Sequence, residues 1–289
     1  MKILFLLLCM VSVSSLVGQD TKPVLVSPQW LNDHLKDPEI VLLQVTFLKL
    51  DYDREHIDGA QYLWPEHLAP NSPEGSYNAP DINKATELLR NYGINDNSHV
   101  VLYHVRNEVS PTARMFLTLE NLGLKGKVSF LNGGLEAWKN ENYPVTREVR
   151  VPKKGTVKLK QGDLLVNKEY VLNTLKSDKG LVVDARNKNF YDGDPTGNPR
   201  DGHITGAKNI PYTEMVDASN KFKSLDELRN YFSPVAGADK ELVTYCFIGQ
   251  TASVVYMAGR MLGYKMKLYD GSLQEWSRIE ELPMEKTVK

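Results

Sequence analysis

The second half of this 289-residue chain repeats the first. Leu25–Leu35 resembles Leu165–Leu175, each placing apolar residues at helical spacing behind a capping residue, Ser27 or Asn167. Ile40–Val45 matches Gly180–Asp184, both short apolar strands. His56-Ile-Asp-Gly-Ala60 matches His203-Ile-Thr-Gly-Ala207, Val100–His104 matches Leu242–Cys246, and Phe130–Trp138 matches Leu268–Trp276. The offsets are 140, 147, 142 and 138 residues for the pairs starting at Leu25, His56, Tyr103 and Trp138. Five blocks in one order at near-constant spacing mean a duplication, so the chain must build one fold twice.

Within each half, apolar runs alternate with helix-period segments such as Ile82–Tyr92, Thr112–Leu122, Leu225–Phe232 and Thr251–Leu262. This alternation predicts an α/β fold with a mostly parallel sheet in each half. Continuous apolar strands such as Leu181-Val-Val suit a sheet with helices on both faces. The charged stretch Thr146–Lys160 carries Pro152 and Gly155 and has no helical period. It reads as a linker over 146–159, between domains at 22–145 and 160–285.

Residues 1–18 are expected to be a signal peptide. Lys2 precedes an apolar run from Ile3 to about Val13, and the small or polar Ser14, Ser15 and Gly18 follow. Export to a periplasm or beyond is the expectation, with no membrane attachment after cleavage. Cleavage discards Cys9, one of only two cysteines, and leaves Cys246 as a lone thiol in an oxidising compartment. Two cysteines cannot build a disulfide framework or a cysteine zinc cage. A formal net charge of −1 leaves no basic field for nucleic acid.

Cys246 stands where chemistry is expected. The strand Leu242-Val-Thr-Tyr runs into Cys246-Phe-Ile-Gly-Gln-Thr251, and a helix follows from Ala252. A short loop before a helix can curl its amides into an anion cradle, here formed by Phe247, Ile248, Gly249, Gln250 and Thr251. Gly249 permits the backbone turn. The helix N-terminus favours a thiolate. Such a cysteine serves a phosphatase or a sulfur carrier. A phosphatase needs an arginine six residues after the cysteine to grip phosphate; that position is Ala252, and the loop holds no arginine. In sulfur transfer the thiolate takes a sulfane sulfur and holds it as a persulfide, giving two half-reactions.

Cys246-Phe-Ile-Gly-Gln-Thr-Ala resembles the Cys-x-x-Gly-x-Thr-Ala loop of rhodanese-type sulfurtransferases. Gly202-His-Ile-Thr-Gly-Ala resembles that family's Gly-His-Ile-x-Gly-Ala, Asp184-Ala-Arg186 its Asp-x-Arg, and Tyr269-Asp-Gly-Ser-x-x-x-Trp276 its closing block. The resemblance covers about Val24 to Pro283 and is to the tandem form, thiosulfate and 3-mercaptopyruvate sulfurtransferases. It implies two tandem rhodanese-like domains, a catalytic Cys246 in the second, and no cofactor or metal. The implied partners are a small sulfur-containing anion as donor and cyanide or a thiol as acceptor. Asp184, Arg186 and His203 are expected to be structural residues near the site. Thr251 is expected either to bond the persulfide or to cap the helix.

The first half departs from the pattern. His104 stands opposite Cys246, and the stretch to the shared Ala113 is three residues longer. This half is expected to be inactive, bracing its partner and walling the cleft. The donor is less plainly written. Mercaptopyruvate enzymes of the family use two arginines for the substrate's carboxylate and keto groups. Phe190 occupies one of those positions and Arg200, in Asn-Pro-Arg, the other. Arg200 is therefore the candidate substrate-binding residue, and half a clamp favours thiosulfate. The alternatives are a mercaptopyruvate enzyme and a non-catalytic binding module.

Overall fold

The computed structural model describes residues 22–73 and 75–287. The leader read at residues 1–18 lies outside them. In the first half the order is β1 (Leu25–Val26), α1 (Pro28–His34), β2 (Ile40–Val45), α2 (Lys49–Arg54), β3 (Gln61–Leu63), α3 (Ile82–Asn91), β4 (His99–His104), α4 (Val109–Leu119), β5 (Val128–Leu131) and α5 (Gly134–Asn140). The second half runs β6 (Leu165–Val166), α6 (Lys168–Leu175), β7 (Gly180–Asp184), α7 (Lys188–Asp192), β8 (His203–Ile204), β9 (Lys208–Asn209), α8 (Leu225–Phe232), β10 (Glu241–Tyr245), α9 (Ala252–Met261), β11 (Lys265–Tyr269), α10 (Ser272–Trp276) and β12 (Met284–Glu285). Each half forms a five-stranded sheet, β1-β5-β4-β2-β3 and β6-β11-β10-β7-β9. Every pairing within the two sheets is parallel, while β12 returns antiparallel to β8.

The duplication persists down to single hydrogen bonds. Ser27 and Asn167 each cap a helix, accepting from the amides of Trp30 and Tyr170. The Tyr103 hydroxyl accepts from the Ile57 amide, and the Tyr245 hydroxyl from Ile204. The Trp138 and Trp276 indoles donate to the carbonyls of Pro144 and Pro283. Both indoles are fully buried, and truncating either to alanine costs about 3–5 kcal/mol.

Helices cover both faces of each sheet because both faces are apolar. The outer faces bury Leu31, Leu135 and Trp138 in the first half and Val171, Leu273 and Trp276 in the second. The inner faces share one continuous cluster, with Ala113 and Phe116 of α4 and Val254 and Val255 of α9 among its members. The two halves are thus joined by a common core, with α4 packed on α9. The connecting segment adds to this. Gly155 and Val157 donate their amides to the carbonyls of Arg90 and Ile94, and Lys160 to that of Leu122. The stretch read as a linker is a strap laid on the first domain. No helix among the described residues is long and apolar enough to cross a membrane.

Candidate active site

Cys246 follows β10 directly and is only 1% exposed. Its neighbours in the parallel sheet, β7 and β11, bring Asp184 and the Tyr269–Ser272 turn to the same end. The loop from Cys246 to Thr251 is held by its carbonyls. That of Cys246 accepts from the Leu273 amide at 3.1 Å, and that of Phe247 from the Gln274 amide at 2.9 Å. The Gly249 carbonyl accepts from Ser253 Oγ at 3.2 Å and from Arg114 Nη1 at 3.3 Å. The carbonyls of Gln250 and Thr251 accept from the amides of Ser253 and Val254.

In a trans peptide the N–H points opposite to the C=O. Drawing these carbonyls outward turns the following amides to the other side of the loop. Among the described residues, none of the amides from Phe247 to Thr251 donates to a protein acceptor. The loop therefore offers a set of open N–H groups at the start of a ten-residue helix, an arrangement suited to an anion. Gly249 makes the turn with φ of +78°. Thr251 makes no side-chain capping bond to α9. Its hydroxyl is not spent on the helix.

The charged residues are distributed differently from the sequence expectation. Arg200 directs its donors to backbone carbonyls. Its Nε bonds the Ser277 carbonyl, Nη1 those of Glu280 and Leu282, and Nη2 those of Trp276 and Ile279. All five N–H groups are committed to carbonyls released at the end of α10, so Arg200 ties down the C-terminal turn. A second guanidinium bordering the loop, besides that of Arg114, is Arg186. It pairs with Asp184 at 2.6 Å, donates to the Gly202 carbonyl at 2.6 Å, and sits 5.0 Å from the centre of the Phe247 ring. Burial opposes its charge. The Asp184 carboxylate, with smaller contributions from Tyr245 and Cys246, outweighs that and holds Arg186 above the ordinary arginine range. Its Nη1 is buried without a hydrogen-bond partner among the described residues. Phe190 packs edge-on against Phe247, ring centres 5.4 Å apart.

His203, at the start of β8, is buried. Its Nδ1 meets the Tyr191 carbonyl at 2.7 Å, its Nε2 the Glu285 carboxylate at 3.2 Å, and its ring stacks on Tyr191. His56 repeats the arrangement in the first half on the Tyr52 carbonyl and ring. His104, opposite Cys246 in the repeat, is buried, and desolvation pushes it down to about 4.

Sequence reading missed Arg114 and Tyr77 of the first domain and held Ser272 only as part of the closing block. Arg114, Tyr77 and Ser272 all reach the loop: Gln250 Nε2 donates to the Tyr77 hydroxyl at 2.9 Å, and the Cys246 amide to Ser272 Oγ at 3.3 Å. Arg114 was visible as the one basic residue in the apolar period Thr112–Leu122. Nothing in the sequence marked Tyr77. Beside the first turn of α9, an interdomain cavity of about 490 Å³ is lined by Asn107, Val109 and Ser110 on one side and Tyr212, Val216 and Val254 on the other.

The rhodanese-like domain family model matches residues 27–141 and again 167–279. The chain belongs to the rhodanese family. It is 34% identical to a sulfur carrier protein of Thermus thermophilus over 93% of this chain and 99% of that protein. It is 28% identical to a thiosulfate sulfurtransferase of Azotobacter vinelandii, covering 91% and 97%. The crystal structure of the 3-mercaptopyruvate sulfotransferase SseA from Escherichia coli superposes with a TM-score of 0.76 at 28% identity, covering 87% of this chain and 99% of that one. Both rhodanese domains are thus tandem members of a sulfurtransferase family, each with its parallel five-stranded sheet.

Proposed function

We propose that the protein is a sulfurtransferase that carries sulfur on Cys246. In the first half-reaction the thiolate attacks the outer sulfur of thiosulfate. A new S–S bond forms, the donor's S–S bond breaks, and sulfite leaves with that bond's electron pair. Cys246 then holds the sulfur as a persulfide anion. In the second, cyanide or a thiolate attacks the outer sulfur and Cys246 departs as thiolate. No electrons enter or leave overall. The observation that carries the reading is the row of unpartnered amides from Phe247 to Thr251, which meets an anion in both resting and loaded states.

Thiosulfate fits better than mercaptopyruvate. A carboxylate clamp would call on positions 190 and 200. Phe190 has no donor and packs on Phe247, and the five N–H groups of Arg200 are used on carbonyls. Arg186, with one free Nη1, is the cation that supports a compact anion beside the loop. We infer export of this chemistry from the leader-like sequence of residues 1–18. Intact mass after exposure to thiosulfate tests the proposal: the wild type gains one sulfur atom, Cys246→Ser gains none, and thiosulfate outperforms mercaptopyruvate in turnover. A wild type left unmodified by thiosulfate and by mercaptopyruvate refutes sulfur transfer and leaves a binding module.

A further inference from the structure

The first domain lacks the cysteine, yet one of its arginines reaches the reactive loop. Arg114 stands in α4 and is 0% exposed. Its Nη2 bonds Asp270 Oδ1 and the Tyr77 carbonyl, each at 2.6 Å, and its Nη1 bonds the Gly249 carbonyl at 3.3 Å. We propose that Arg114 is a positioning residue for sulfur transfer: it sets the amide cradle of the second domain from the first. The inference rests on Cys246 being the sulfur carrier.

Three observations carry it. First, packing alone does not call for a charge here. A buried guanidinium with Nε left unpartnered is a costly way to fill space, and an apolar side chain of like volume fills it at least as well. What the guanidinium adds is direction: it draws the Gly249 carbonyl outward, and the Gln250 amide of the same peptide is thereby turned inward. Second, the repeat places Arg114 opposite Ser253, since Ala113 corresponds to Ala252. Both side chains bond the one Gly249 carbonyl, from two helices packed on each other. Equivalent positions of the two halves have converged on one peptide of one loop. Third, Arg114 also holds Tyr77, whose backbone is left-handed at φ of +60°. That conformation is unfavourable for a tyrosine and persists because the carbonyl is fixed. It delivers the hydroxyl to Gln250 Nε2, a second hold on the cradle from the first domain. Burial, with Glu66 adding to it, pushes the Tyr77 phenol up, so it stays neutral.

The test compares full-length wild type, Arg114→Met, Ser253→Ala and Arg260→Met. Arg260 forms another interdomain ion pair, with Glu120 at 3.1 Å, and touches none of the cradle. The readout is the pH profile of Cys246 alkylation by iodoacetamide, with sulfur loading from thiosulfate followed by intact mass. Arg114→Met is expected to slow alkylation and loading at pH 7 about ten- to a hundredfold and to move the alkylation profile to higher pH, as small misplacements of a site do. Arg260→Met leaves the profile in place although it removes comparable interdomain contact. Ser253→Ala, which keeps Arg114 and its packing, moves the profile the same way by a smaller amount, and it decides the matter should Arg114→Met fail to fold. A profile unmoved in Ser253→Ala and in folded Arg114→Met, or moved equally by Arg260→Met, overturns the proposal. Wild type that takes no sulfur from thiosulfate or from mercaptopyruvate overturns the underlying function instead.

Discussion

Replacing Gly249 by alanine separates two costs that the loop imposes on the same residue. At φ of +78° an L-residue sits in the left-handed region, which costs about 1–2 kcal/mol. The added Cβ would also lie 3.1 Å from Arg114 Nη1 and 3.3 Å from the Asp270 carbonyl oxygen. Both distances fall inside the optimum of about 3.5–4.0 Å for carbon contacts. Neither neighbour yields freely, because one is backbone and the other is held by two bonds of 2.6 Å. Crowding of this kind adds about 1–3 kcal/mol. Gly263 supplies the comparison. Its φ is +86°, yet nothing lies within 4 Å of its Cβ position, so Gly263→Ala carries the backbone cost alone. Both glycines belong to the second domain, so one urea transition reports on both variants. Gly249→Ala should lose about 1–3 kcal/mol more than Gly263→Ala, and it alone should lose sulfur loading, because relief of the contact turns the Gly249 peptide. Equal stability of the two variants, with loading intact in both, would refute the argument that this loop is shaped by close packing around an open row of amides.

Two further outcomes follow from how charge is placed. Arg200→Met should lower stability by about 2–4 kcal/mol, since five carbonyls lose charged donors. The thiosulfate KM of the folded enzyme should change by less than about twofold; a large rise in KM with stability intact would restore Arg200 to the donor site. Desolvation holds both His99 and His104 down at about 4, with nearby Lys22 adding to the effect on His99. An unfolded histidine titrates near 6.5, so both contribute fully above that value, and stability falls from there toward pH 4 as the unfolded chain alone takes up protons. Urea midpoints between pH 4.5 and 7.5 should show about one proton per histidine taken up on unfolding near pH 5, a slope that His104→Gln reduces; a flat profile would contradict the burial of both rings.

The duplicated fold was legible because its determinants are local. Apolar period, the caps at Ser27 and Asn167, and a strand running straight into Cys246 each act over a few residues. The helix read over Thr112–Leu122 begins three residues earlier, at Val109, and Pro111 in its first turn is tolerated there. The charges were harder to place because an arginine's role depends on which carbonyls the fold leaves over. Asn-Pro-Arg200 resembles a substrate residue in sequence, but α10 ends beside it and consumes its donors. Asp184-x-Arg186 was read as a structural ion pair, and the pair exists. Its relation to Phe247 and the spare Nη1 arise only when β7 and β10 lie in register. Arg114 and Tyr77 act across more than a hundred residues of chain, where no local pattern reaches.

The two halves also serve as controls for each other. What both keep is what the fold needs: the tyrosine hydroxyl on the His-Ile turn, the stacked histidine and the tethered indole recur in each. The Asp184–Arg186 ion pair, kept by only one half, lies beside the loop. By sheet register Gln44 occupies the place of Asp184, and Thr46 that of Arg186. Both are buried and neutral, so the fold closes without the ion pair where no cysteine follows. His104 fills the cysteine position as a buried neutral ring. The ion pair at Asp184 and Arg186 is therefore not a requirement of the shared fold. The opposite holds for His203, whose counterpart persists in the half without the thiol. On the same reasoning Arg114, standing where the active half has Ser253, marks a helix that kept its packing while its side chain turned to the partner's loop. The half that lacks the cysteine still contributes to its site.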